Sequence, residues 1–142
     1  MFKYLKTADS DFHPSEVIEL LAYDSGGDDS EVPEGSLICI EEGMVRLDCI
    51  HGMPLYLALT GKKLRGEGYI KCTPVLSNMI FEATIDPDED PSIFFVGSMC
   101  RIFCDESCKG IGVTVELNFE RAAFRIIDIS NIKNGKVTVI KL

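Results

Sequence analysis

The chain is short of several features that would assign its class at once. It has no apolar run approaching the roughly 20 residues that a membrane span needs. Its opening, MFKYLKTADSDFHPSE, holds no apolar leader segment ending in a small-residue cleavage site. Positive charge is scarce: 14 Lys and Arg face 23 Asp and Glu, for a net charge of −9. Proteins that track a phosphate backbone rely on clustered Lys and Arg to release counterions, so no nucleic-acid partner is expected. No membrane partner is expected either. Histidine is limited to His13 and His51, which leaves few bases for nucleophilic catalysis, and no nucleophile elbow occurs. A βαβ alternation is also missing, which argues against a parallel α/β sheet.

What is present fits a protein folded in a reducing cytosol. The 142 residues suit one compact domain, or two very small units sharing a core, and a hydrophobic fraction of 46% can supply that core. Six cysteines would suggest disulfides in a secreted chain. Without a leader they read as small apolar side chains, and Cys39, Cys49 and Cys72 each lie in an apolar or alternating run.

One pattern occurs twice. VPEGSLICIEEGMVRLD, from Val32, and FVGSMCRIFCDESCKGIGVTVEL, from Phe95, each place Gly-Ser before an apolar run, then an acidic turn, then a second strand-like run. From Leu37 onward the period is mostly two. Val45, Leu47 and Cys49 alternate with Arg46 and Asp48, Met79, Phe81, Ala83 and Ile85 with Ile80, Glu82 and Thr84, and Val113, Val115, Leu117 and Phe119 with Thr114, Glu116 and Asn118. Such alternation predicts strands with one buried face and one wet face. Turn signals at Glu42-Gly43, His51-Gly52, Gly66-Glu67-Gly68, Lys109-Gly110 and Asn134-Gly135 separate the runs.

The expected fold is therefore all-β: two small antiparallel subunits, sandwich or barrel-like, with a short N-terminal helix or strand arm. PSEVIELLAY, 14–23, reads equally as a short helix or as a strand. Residues 1–29 form the arm and an acidic loop, 30–85 the first subunit, 86–92 a crossover and 93–142 the second.

Three constellations invite a chemical reading. Asp86, Asp88 and Asp90 match the first, third and fifth places of a calcium loop, but Pro91 and Gly97 stand where Gly and Glu are required. An acidic, solvated crossover accounts for them better, with Pro87 and Pro91 unable to donate to a sheet ladder. Cys100, Cys104 and Cys108 form a C-x3-C-x3-C series, yet zinc wants four ligands and no histidine lies nearby in sequence. A buried row with Ile102 between Cys100 and Cys104 is the simpler account. The loop GKKLRGEG, 61–68, gathers Lys62, Lys63 and Arg65 on an acidic chain without P-loop spacing. It is either a solvated hairpin tip or a basic tip that docks on an acidic protein surface. Tyr56 and Tyr69 flank it, as interface aromatics or as core. Glu82 is expected on a polar strand face. No catalytic residues, metal or cofactor are expected.

GSLICIEEGMVRLD, then MPLYLALTG with Pro54, Tyr56 and Leu57, then the basic loop, then YIKCTPVLSNMIFEATID with Met79 to Glu82 resemble, in that order, a known family. They are similar to small head-decoration, or auxiliary capsid, proteins of tailed bacteriophages, over residues 30 to 142. The resemblance implies a non-enzymatic virion protein, made in the host cytoplasm, that binds the major capsid protein on the head surface and sits beside further copies of itself. The contact residues expected for such a role are Val17, Leu21, Tyr23, Lys62, Lys63 and Arg65. A tail, neck or baseplate component and an intracellular Cys-based metal or redox module are the alternatives.

Overall fold

A computed structural model describes residues 1–8, 18–22, 31–41, 44–46, 54–60, 62–63, 68–104 and 110–142. They form β1 (Phe2–Thr7), β2 (Ile18–Ala22), β3 (Glu31–Val32), β4 (Leu37–Glu41), β5 (Met44–Arg46), β6 (Leu55–Ala58) and β7 (Lys62–Lys63). There follow β8 (Gly68–Pro74), β9 (Met79–Thr84), β10 (Met99–Cys104), β11 (Gly110–Val115), β12 (Phe124–Asp128) and β13 (Lys136–Lys141). Only single-turn 3-10 helices interrupt them, at Pro91–Ile93, Phe119–Arg121 and Ile132–Asn134. The all-β expectation holds.

Eleven of these strands share one antiparallel sheet, curled into a half-barrel, in the order β1-β9-β13-β12-β10-β11-β4-β6-β8-β2, with β5 on β4. β3 and β7 form a separate two-stranded ribbon. Within the sheet one arrangement occurs twice. β2, β4, β5, β6 and β8 pair in the spatial order β2-β8-β6-β4-β5, and β5 comes back alongside β2. β9, β10, β11, β12 and β13 pair in the matching order β9-β13-β12-β10-β11, and β11 returns to β9 through a parallel bridge between Val113 and Ile85. These are the two small antiparallel subunits. Their bounds differ from the expected 30–85 and 93–142: β2, from the stretch expected as an arm, opens the first, and β9, expected in the first, opens the second. Among the described residues one ladder contact, Gly110 opposite Leu37, joins β11 to β4 across them.

The repeated Gly-Ser pattern is the same turn used twice. Ser36 donates its N–H to the Pro33 carbonyl at 3.1 Å, and Ser98 donates to the Phe95 carbonyl at 3.0 Å. Both turns need positive φ at the glycine, +82° at Gly35 and +94° at Gly97, which L side chains rarely adopt. Each glycine then donates to the fourth strand of its own subunit, Gly35 to Ala58 at 2.9 Å and Gly97 to Ile126 at 2.8 Å. Those residues donate back, Ala58 to Ser36 at 3.0 Å and Ile126 to Ser98 at 2.9 Å. The turn thus launches β4 and β10 in register with β6 and β12.

The larger core cluster gathers the inward faces of both halves, including Phe2, Leu37, Leu57, Phe81, Phe94, Cys100, Phe124, Ile126 and Val139. At its centre Phe2, Phe81 and Phe124 pack edge-on or stacked, with ring centroids 5.5 to 6.3 Å apart. A smaller cluster, Val32, Ile38, Ala58, Ile70 and Cys72, lies beside it and is lined by Tyr56. Leu37, Ile38 and Cys39 go alternately to the larger, the smaller and the larger cluster, as period two requires.

β1 is held in this chain's own sheet along β9, with Phe2 opposite Ala83 and Tyr4 opposite Phe81. The Met1 amine donates to Thr84 Oγ1 at 2.7 Å and also to the Ile111 carbonyl. Burial, and the Lys136 charge second, hold that amine below its ordinary pKa.

The structure corrects the alternation read over β11. The strand ends at Val115, so Leu117 and Phe119 stand in water rather than in the core, while Thr114, expected wet, is fully buried. The reason is a contact from elsewhere in the chain. The crossover folds back over this strand, and Glu89 Oε1 accepts from Thr114 Oγ1 at 2.9 Å, covering the face that the pattern assigned to solvent. Asn134-Gly135 also differs from a two-residue hairpin turn: a 3-10 turn precedes it, and Gly135, at φ +70°, ends that turn before β13.

Candidate functional site

Of the expected contact residues, Val17, Tyr23 and Arg65 lie outside the described residues. The others converge. Leu21 is on β2, the last strand of the sheet path, directly opposite Tyr69 on β8, and Ala22 is opposite Gly68. Lys62 and Lys63 form β7 and pair with Val32 and Glu31. Val32, opposite Lys62, packs in the smaller core cluster with Ile70, the neighbour of Tyr69 on β8. Leu21, Tyr69 and the lysine ribbon therefore share one end of the first subunit. Tyr69 is largely exposed there, whereas Tyr56 is half-buried against the smaller core cluster.

The residues tested for metal chemistry are otherwise engaged. Asp86 Oδ1 accepts from the Asp88 N–H at 3.0 Å, and Asp90 Oδ1 accepts from the Ser92 N–H at 2.9 Å, capping the first 3-10 turn. The bonds from Ser92 hold the Asp90 carboxyl below its ordinary pKa. Among the described residues no group of three or more His, Cys, Asp or Glu is placed to hold a metal ion. Cys100 points into the core opposite Val115, and burial pushes its thiol up to about 12. Such a thiol is a poor ligand and nucleophile, because the thiolate is the reactive form. A register shift between Phe103 and Cys104 breaks the regular spacing that a buried cysteine row assumes, leaving Cys104 half-exposed. Cys108, His13 and His51 lie outside the described residues. Glu82 sits half-buried on the outer face of β9 and takes Lys136 Nζ at 3.1 Å.

The sequence pattern missed a second surface. At the end of the sheet where β10 begins and β11 ends, Leu117 is 96% exposed, Phe119 70%, and Phe95 and Val96 62% each. They follow one another around this end: the Glu116 N–H donates to the Met99 carbonyl at 2.9 Å just before Leu117, and Phe95 and Val96 lead into Gly97, which is bonded to Ile126. Both loops are braced. Glu116 Oε1 accepts from the Asn118 N–H at 2.8 Å, and Asn118 Oδ1 caps the next 3-10 turn by accepting from Glu120 N–H at 3.1 Å. Arg101 ties Glu116 from β10 at 3.4 Å. Across the gap, Ser98 Oγ accepts from the Phe95 N–H at 3.3 Å. Apolar side chains are thereby carried outward on backbone that is already ordered, which lowers the entropic cost of docking. Its signal in the sequence is the Asn118-Phe119-Glu120 stretch, in which an Asn cap starts a new turn inside an otherwise alternating run.

No family model, no characterised protein and no solved structure matches the chain. The fold and its surfaces define an all-β protein of two similar subunits. Its described carboxylates and thiols are largely engaged locally, and a cluster of its apolar side chains is held out in water.

Proposed function

We propose that this chain is a non-enzymatic virion protein that binds the major capsid protein and decorates or stabilises the head of a tailed bacteriophage. The observation that carries the reading is the convergence of Leu21, Tyr69, Lys62 and Lys63 at one end of the first subunit. Two segments far apart in sequence, each expected as a contact region, meet there. An aromatic beside basic positions, on a chain of net charge −9, is suited to an acidic surface that the rest of the molecule would repel. The sheet supplies the stiffness, since cross-strand pairs and a packed aromatic centre leave the contact surface little freedom to lose on binding. The resemblance to decoration proteins supplies the partner class. It also supplies the location, the head surface, with synthesis in the host cytoplasm.

The test is co-sedimentation of the purified chain with empty shells before and after expansion. Retention on expanded shells is expected, reduced at least about tenfold in affinity by Tyr69→Ala with Lys62→Glu and Lys63→Glu, since aromatic anchors commonly carry 2 kcal/mol or more. Failure to sediment with shells at any stage would remove the reading.

A further inference from the structure

We propose that the Gly97-Ser98 turn is a second, open copy of the seat that Gly35-Ser36 provides for Met1 and Phe2. Its occupant is an extended segment of a different protein, not a second copy of this chain, bearing a large apolar side chain. The inference does not depend on that chain being a shell protein.

The two turns match in their backbone bonds, although Ser36 Oγ donates to the Pro33 carbonyl while Ser98 Oγ accepts from the Phe95 N–H, and their surroundings differ. At the first turn the Gly35 carbonyl accepts from the Phe2 N–H at 2.8 Å. The backbone passes so close that a Cβ on Gly35 would lie 2.7 Å from the Phe2 oxygen and 3.3 Å from Met1 Cβ. An extended segment thus lies across the glycine, bonds to its carbonyl and delivers one aromatic ring into the core. At the second turn a Cβ on Gly97 would meet nothing within 4 Å. Phe95 and Val96, which lead into that turn, and Leu117 and Phe119, which follow the Glu116 N–H bonded to the Met99 carbonyl, are exposed instead.

A surface that is apolar, braced and built to the plan of an occupied one identifies its occupant by the occupied example. That example is an extended strand whose N–H reaches the glycine carbonyl and whose apolar side chain finds an apolar rim. The chain's own Met1–Phe2 cannot serve, because it is already bound at Gly35.

The experiment uses the full chain, labelled with nitrogen-15, and a synthetic peptide of residues 1–8, MFKYLKTA, as the probe. If the seats are equivalent, the segment that fills the first fits the second. Amide signals of residues 95–98 and 117–119 should shift and saturate at about millimolar peptide, the range of a small single-site contact. A peptide with Phe2→Ala keeps the same charge and should bind at least about tenfold more weakly. Leu117→Asp, which touches only an exposed side chain, should abolish the shifts while the remaining spectrum stays unchanged. Absence of shifts at 95–98 at several times that peptide concentration would overturn the proposal. So would shifts confined to Gly35 and its neighbours, or equal binding by the two peptides. Movement of the 95–98 signals with protein concentration alone would mean that a second copy fills the turn, and would overturn it too.

Discussion

Gly35→Ala and Gly97→Ala make the same chemical change in two copies of one turn, and their stabilities should separate. Both place a side chain at positive φ, +82° and +94°, where an L-residue pays about 1 to 2 kcal/mol. At Gly97 nothing lies within 4 Å of the added carbon, so that conformational term is the whole effect. At Gly35 the carbon falls 2.7 Å from the Phe2 carbonyl oxygen, a distance that forces movement. The oxygen cannot give way alone. Phe2 is bonded to Gly35 through its own N–H, and its ring stacks on Phe124 with centroids 5.5 Å apart. Complete loss of a buried Phe costs about 3 to 5 kcal/mol, and partial displacement of β1 should cost about half of that. Gly35→Ala is therefore expected to destabilise by about 3 kcal/mol or more, and to exceed Gly97→Ala by about 2 kcal/mol. Denaturant unfolding with linear extrapolation measures both. Equal losses, within about 0.5 kcal/mol, would refute the claim that the first turn is a loaded seat and the second an open one.

Two further outcomes follow from buried groups. Burial raises the folded-state pKa of Cys72 to about 11 and of Cys100 to about 12, from an ordinary 9.0. The stability tied to their neutral thiols is fully present below pH 9.0 and is lost as pH rises toward those values. In the folded chain at pH 8, an aromatic disulfide reagent should leave Cys72 and Cys100 unmodified while it reaches the half-exposed Cys104, as peptide mapping would show; early labelling of Cys100 would contradict its place in the core. Thr73 is fully buried on β8 opposite Leu57, and its hydroxyl has no hydrogen-bond partner among the described residues. Thr73→Val keeps the shape and removes an unsatisfied polar atom, so thermal and denaturant unfolding should show a gain of about 1 kcal/mol; a loss would mean that the hydroxyl is bonded in solution.

Much of this fold was legible because period two is a backbone property. Met79, Phe81, Ala83 and Ile85 all reach the larger core cluster, as their spacing predicts. The doubled Gly-Ser pattern was legible for a similar reason: a turn that needs positive φ leaves a glycine as its trace, and both glycines have it. What could not be read was where a strand stops and what lies on its outer face. Val113 to Phe119 alternates without a break, yet only its first half is strand, because Asn118 offers its own oxygen to the backbone and starts a new turn. Thr114 is buried through contact with Glu89, a residue 25 positions away, and no local pattern encodes such a neighbour. The convergence of Leu21 with Tyr69 is likewise a product of strand pairing between distant segments.

The duplication gives these exposed residues a meaning that exposure alone would not. An apolar side chain in water is common on protein surfaces and needs no account by itself. Here an internal control exists. The first turn has the same backbone bonds within itself and to its fourth strand, the same glycine conformation and the same strand order, and it is covered by the chain's own N-terminal strand. Had the second turn been surrounded by polar residues, the simplest account would be that the repeat drifted and its seat was lost. Instead its rim is Phe95, Val96, Leu117 and Phe119, and the loops that carry them are fastened by Ser98, Glu116 and Asn118. Fastening costs conformational entropy and gains nothing for a loop with no partner. That is why the open turn, rather than the acidic crossover or the cysteine series, is the place to look for a second contact.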